Sequence, residues 1–128
     1  MSFFSKLFNE NQSDSNGNAV DWIPLQTLEQ VDEIIENSHE KPILIFKHST
    51  RCSISRFALK RFESEFDLQG KLNLYYFDLL NFRAISNEIA SKFAIQHQSP
   101  QVLLIKEGKV VYHDSHDAIE AEELKKYI

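Results

Sequence analysis

The chain has 128 residues, 42% of them hydrophobic and 26% charged, with a formal net charge of −5. This length and balance predict one soluble globular domain, and ten Phe, four Tyr and one Trp supply the apolar volume for its core. The negative balance excludes the basic stripe that nucleic acid or an anionic membrane surface requires, so neither is an expected partner. No run reaches the ~18–20 apolar residues of a membrane span.

Residues 1–20 are expected to form a flexible N-terminal segment ahead of a domain at 21–128. Phe3, Phe4, Leu7 and Phe8 fall at helical spacing. They read as an amphipathic turn that docks loosely or stays disordered, or as a helix for a partner or a membrane surface. The stretch is too short and too weakly charged for a signal peptide, and Ser2 excludes N-myristoylation. Residues 9–19, NENQSDSNGNA, are too polar to offset the entropy of ordering and read as a linker.

Trp22, Ile23 and Leu25 predict an extended segment broken by Pro24. Thr27 followed by Gln30 is a capping-box signature. Leu28, Val31, Ile34 and Ile35 then predict a helix over 28–37. After Pro42, the apolar run Ile43–Phe46 predicts a strand buried on both faces. Ile54, Phe57, Ala58, Phe62 and Phe66 keep helical spacing and predict a helix over 53–66 with those residues inward. Gly70 ends this unit. A strand follows over 72–79, then a helix over 84–95 with Ile85, Ile89, Phe93 and Ala94 or Ile95 on one face. Val102–Ile105 is the next strand, and Glu107-Gly108 turns it into a hairpin with 109–113. A closing helix is expected over 117–127, capped by Ser115 or Asp117, with Ile119, Leu124 and Ile128 inward. Strands separated by helices predict parallel pairing through right-handed crossovers, with the hairpin as an antiparallel edge.

The candidate site lies in His48–Ser55, HSTRCSIS. Cys52 is the single cysteine, so no intrachain disulfide can form, which fits a reducing, cytoplasmic setting. It stands after a buried strand and just before a helix. The first N–H groups of a helix lack acceptors, and the macrodipole places about half a positive charge there. A thiolate is favoured at such a point. Two readings stay open at this stage: a reactive thiol, or a small buried apolar side chain. Around it, His48 is a strand-end histidine satisfied by neighbours or a base. Arg51 is a solvated residue or, with His48, a source of positive character. Thr50 and Ser53 add polar surroundings. Ser55 is a first-turn helix residue or a hydroxyl donor to the sulfur. A second feature, Ser99-Pro100, stands directly before a strand, where a proline has no ladder bond to donate. By base rate the bond is trans.

The order of elements, Cys52 at a helix N-terminus, the Ser-Pro before the later strand and the EGK hairpin together resemble a thioredoxin fold: α/β, with a central mixed sheet of four to five strands flanked by helices. In that fold the proline of the Ser99-Pro100 loop is cis and lies beside the active cysteine. The backbone of Ser99 would pair with a bound peptide or thiol ligand. More narrowly, FKHSTRCSIS with SPQVLLIKEGKVVYHDSH resembles the monothiol bacilliredoxin family over roughly residues 21–127. The family usually has Pro after the cysteine, where this chain has Ser53.

The resemblance implies a monothiol thiol–disulfide oxidoreductase. Cys52 would attack a mixed disulfide between a client protein and bacillithiol, a low-molecular-weight thiol. A second thiol molecule or a reductase would then clear Cys52. Bacillithiol would be a co-substrate, with no tightly bound cofactor. Glutaredoxin-type use of glutathione, including a shared iron–sulfur cluster, is disfavoured. Such proteins carry a Gly-Gly segment before the last helix, and here that stretch is HDSHDAIE. His113 and His116, three apart and flanked by Asp114 and Asp117, do not match a recognised closed site, so no metal is expected. A non-catalytic peptide-binding module or redox sensor is the competing reading.

Overall fold

A computed structural model describes residues 20–128; the helix-spaced Phe3–Phe8 and the polar linker lie outside the described residues. The elements run β1 (Trp22–Pro24), α1 (Leu28–Asn37), β2 (Ile43–His48), α2 (Ser53–Glu65), β3 (Asn73–Asp78), α3 (Arg83–Phe93), β4 (Gln101–Lys106) and β5 (Lys109–Ser115). Two 3-10 turns follow, His116–Ala118 and Ala121–Lys126. The strands form one five-stranded sheet in the order β1-β3-β2-β4-β5.

Alternation along the central strands divides the core in two. Leu44, Phe46, Val102 and Leu104 face Phe62 and Phe66 of α2 and Ile119 and Leu124 of the C-terminal turns. Ile43, Ile45, Leu103 and Ile105 face Val31 and Ile34 of α1 and Ile85 and Ile89 of α3. Both faces are covered, which is why β2 reads as an unbroken apolar run. Trp22 closes one edge. Its ring meets Phe46 at 5.8 Å edge-on, and its Nε1–H donates to Glu63 Oε2 at 2.7 Å. The Thr27–Gln30 capping box starts α1. Gly108 has φ +78 in the hairpin turn, and its N–H donates to Ser38 Oγ at 2.8 Å.

Four expectations are corrected. First, β1, β2 and β3 pair in parallel, but β4 runs antiparallel to β2, with Gln101 opposite Lys47. Because Lys47 also faces Phe77, β4 begins at the end where β3 finishes. Segment 94–100 brings the chain back there after a left-handed Ala94 (φ 54). A doubly buried strand has the same apolar pattern in either direction, so hydrophobicity could not decide this.

Second, Ile54 and Phe57 are 59% and 68% exposed. The buried positions of α2 are Ser55, Ala58 and Phe62. Ile54 and Phe57 each lie one residue back from that line, roughly 100° round the helix axis. A serine holds the inward first-turn position because its hydroxyl has partners there. Third, the closing helix is replaced by the two 3-10 turns. Ile119 is extended (φ −67, ψ 121) and drops into the core at 2% exposure, while Arg61 donates to its carbonyl at 2.6 Å. A continuous helix could not free that carbonyl for Arg61, and Ile128 is left 42% exposed. Fourth, α3 ends at Phe93, so Ala94 is its exposed C-cap and not part of its inner face.

Candidate functional site

Cys52 is the N-cap of α2, with φ −102 and ψ 122. Its own N–H donates to Ser49 C=O at 3.1 Å, and its C=O accepts the first helical bond from Arg56 N–H at 3.0 Å. The side chain makes no capping hydrogen bond and is part-buried. The sulfur therefore stands at the mouth of the first turn, where the unpaired helix N–H groups favour negative charge. Of the two large side chains nearby in sequence pattern, Trp22 packs on Phe46, Phe62 and Tyr76, and Phe57 is exposed.

Ser55 does not donate to the sulfur. It is fully buried, accepts from Ser49 N–H at 3.0 Å, and lies 2.8 Å from His48 Nδ1. Accepting from Ser49 leaves its own proton for His48. The His48 ring is 2% exposed and rests 5.4 Å from the Tyr76 ring. Burial pushes its pKa below the ordinary 6.5; Asp78 opposes this shift and Arg56 assists it. At neutral pH His48 is thus an uncharged acceptor that fastens the loop to α2. It does not supply positive character to Cys52.

The loop is held from the other side by Asp78, at the end of β3. Its carboxylate accepts from Thr50 Oγ1 at 3.0 Å and Thr50 N–H at 3.4 Å. It also accepts from Leu80 N–H and Asn81 Nδ2, each at 3.1 Å. Arg56 adds a third tie, donating from Nη1 to Thr50 C=O at 3.0 Å. The guanidinium joined to this loop is therefore Arg56, while Arg51 and Ser53 are exposed. Thr50, Arg51, Asp78, Leu80 and Asn81 line an open cleft of about 420 Å³ next to the cysteine.

The Ser99-Pro100 bond is cis. Pro100 leads into Gln101, whose partner Lys47 is close to the end of β2, so Cys52 and Ser99 stand at the same end of the sheet. Neither the N–H nor the C=O of Ser99 has a hydrogen-bond partner among the described residues. Its Oγ is buried without one.

Asp78 and Lys47 carry roles that the sequence reading missed. Asp78 could have been found as the acidic last residue of a strand parallel to β2, because such a residue lies beside the Cys52 loop. Lys47 is hidden by its type, since a lysine after an apolar run reads as the end of burial. Among the described residues no group of three or more His, Cys, Asp or Glu could hold a metal ion. No helix among them is long and apolar enough to cross a membrane.

Comparisons with known proteins agree with this fold. A solved thioredoxin-fold protein, provisionally described as an oxidoreductase, aligns at TM-score 0.70 and 30% identity, covering 81% of this chain and 90% of its own. Thioredoxin from Trypanosoma brucei brucei aligns at TM-score 0.63 and 17% identity, covering 83% and 86%. Fasciola hepatica thioredoxin aligns at 0.59 and 18%, covering 80% and 92%. At those lower identities the likeness is one of fold. The family profile described as Monothiol bacilliredoxin BrxC matches residues 23–124, from β1 into the last 3-10 turn. A match over nearly all of the folded part leaves one assignment: the chain belongs to the monothiol bacilliredoxin family, with a thioredoxin fold and a thiol redox role.

Proposed function

We propose that the protein is a monothiol oxidoreductase that removes bacillithiol from mixed disulfides on protein cysteines in the cytoplasm. The observation that carries this reading is Cys52 itself: a part-buried free thiol at a helix N-terminus, with Ser99 offering an unpaired backbone edge at the same end of the sheet. In the first step the Cys52 thiolate attacks the bacillithiol sulfur of protein–S–S–bacillithiol. The old disulfide breaks, the client leaves as a thiolate, and a new disulfide joins Cys52 to bacillithiol. In the second step an external thiolate attacks that disulfide and restores the Cys52 thiolate. With free bacillithiol as the attacking thiol, the product is bacillithiol disulfide.

No second cysteine exists in the chain, so the second step must be intermolecular. Its agent is a low-molecular-weight thiol or a reductase. Ser55 holds the position where a resolving cysteine would stand, and its hydroxyl is used by His48 and Ser49. Exposed Ile54 and Phe57, two and five residues from Cys52, supply apolar surface for a protein client. Neither nucleic acid nor a membrane is a partner in this reading.

The test is incubation of the purified protein with a bacillithiolated client, followed by intact-mass spectrometry of both. The expected result is loss of the adduct from the client and its appearance on Cys52, with Cys52→Ser inert. A client that keeps its adduct in the presence of the wild-type protein would overturn the proposal. The competing reading, a binding module or redox sensor, would instead leave partner binding intact in Cys52→Ser.

A further inference from the structure

Lys47 is not used by the chemistry above, yet it is 1% exposed near the end of β2. It points to the α1 and α3 side, like Ile43 and Ile45. No carboxylate pairs with it among the described residues. A buried ammonium without a counter-charge costs stability, and an apolar residue of similar volume is often the better choice there. Its Nζ lies 2.9 Å from Nδ1 of His97, fifty residues away in sequence. The same ring nitrogen lies 3.0 Å from Ser86 Oγ on α3. Gln101, directly opposite Lys47, donates from Nε2 to Gln96 C=O at 3.0 Å. Lys47 and Gln101 therefore both grip residues 96–97, the stretch that runs into Ser99-Pro100, with the Ser86 hydroxyl beside the same ring nitrogen.

One ring nitrogen offers either one lone pair or one proton. Neutral His97 can accept from the Lys47 ammonium. Protonated His97 cannot; it turns an N–H toward Ser86 and places a second cation 2.9 Å from Lys47. We infer that Lys47 is a positioning residue: through His97 it holds segment 96–100 so that the backbone edge of Ser99 is presented at the Cys52 end of the sheet, and it releases that segment when His97 takes up a proton. The charged groups acting on His97 are Lys47 from β2 and Arg83 from α3, both cationic, while β4 contributes only uncharged Gln101. His97 is itself exposed; partial desolvation on its Lys47 side first, then the Lys47 and Arg83 charges, hold its pKa below 6.5, so the grip is intact at neutral pH and is lost on acidification. Burial also pulls Lys47 down to about 8, which still leaves it mainly an ammonium donor to His97 at neutral pH.

This inference rests on the proposed function for its kinetic arm but not for its spectroscopic arm. Lys47→Met removes the donor. His97→Gln keeps an acceptor for Lys47 and a donor for Ser86 but cannot titrate. The KM for a bacillithiolated client should rise about fivefold or more in Lys47→Met, with kcat and the iodoacetamide rate at Cys52 nearly unchanged. Its urea midpoint should hold or rise, which loss of a merely structural contact would not give. Wild-type KM should climb from about pH 6.5 downward, and that limb should be absent in His97→Gln. By NMR, the His97 ring should titrate at higher pH in Lys47→Met, and the Gln98 and Ser99 amides should shift on acidification in wild type but not in His97→Gln. Identical amide shifts in wild type and His97→Gln would overturn the inference, whether or not the protein turns over a mixed disulfide. An unchanged KM in Lys47→Met, in a protein that does turn it over, would overturn it equally.

Discussion

Replacing Ser55 by Ala separates two roles for the serine that follows Cys52 by three positions. In the structure its hydroxyl serves His48 and Ser49 and leaves the sulfur alone. The substitution orphans His48 Nδ1, on a ring that is 2% exposed, which costs about 1–3 kcal/mol. The Ser49 N–H is half-buried and loses a neutral bond worth about 0.5–1 kcal/mol. The better helix propensity of Ala returns about 0.5 kcal/mol. The net expectation is a loss of about 1–3.5 kcal/mol, which at a urea slope of ~2 kcal/mol/M moves the midpoint down by about 0.5–1.8 M. The single tryptophan, Trp22, packed on Phe46 and Phe62, reports the transition by fluorescence. The iodoacetamide rate at Cys52 should stay within about twofold, because a hydroxyl bond worth about 0.5–1.5 kcal/mol would change it by roughly two- to tenfold. An unchanged midpoint with a tenfold change in alkylation would refute the reasoning. It would mean that Ser55 bonds the sulfur and that His48 is satisfied elsewhere.

Other perturbations test the rest of the site. His48 and His97 both have folded pKa values below 6.5, so the unfolded chain takes up protons first on acidification. Stability should therefore be full above about pH 6.5 and fall below it, and His48→Gln should flatten the decline in urea titrations; an equally steep variant would count against a buried neutral His48. Asp78→Asn places an amide donor against the Thr50 hydroxyl and the Asn81 amide. It should cost about 1–2 kcal/mol, discounted for partial exposure, and speed hydrogen exchange at residues 50–52; unaltered exchange there would show that Arg56 and Ser55 hold the loop without Asp78. Phe57→Glu should leave stability within about 0.5 kcal/mol while lowering turnover of a protein mixed disulfide. A small-molecule mixed disulfide should be processed as before, and equal losses on both substrates would remove Phe57 from client docking.

Much of the architecture was legible because it rests on local patterns. The Thr27–Gln30 box, the apolar run of β2 and the Glu107-Gly108 turn each have a short-range cause. The elements they mark lie close to their expected positions. The placement of Cys52 ahead of α2 was legible for the same reason: a polar stretch between a buried strand and a helical pattern has to be the helix start. The inward face of α2 was not. Apolar residues occupy two adjacent arcs of that helix, and the buried one is selected by a polar residue, Ser55, whose partners come from β2 and the loop after it.

Residue order alone implies that a lone thiol heads a helix and that any disulfide formed on it must be resolved from outside the chain. Those statements depend on residue order and on a count of one cysteine. Tertiary structure decided the rest. It turned Ser55 away from the sulfur and toward His48, put Asp78 and Arg56 on the Cys52 loop, reversed β4, and buried Lys47 against His97. These contacts join residues as much as 62 positions apart, such as Ile43 and Ile105, and their energies depend on burial and on hydrogen-bond partners that no local pattern encodes. A serine, an aspartate or a lysine reads as solvent-facing until the fold supplies the group it must satisfy.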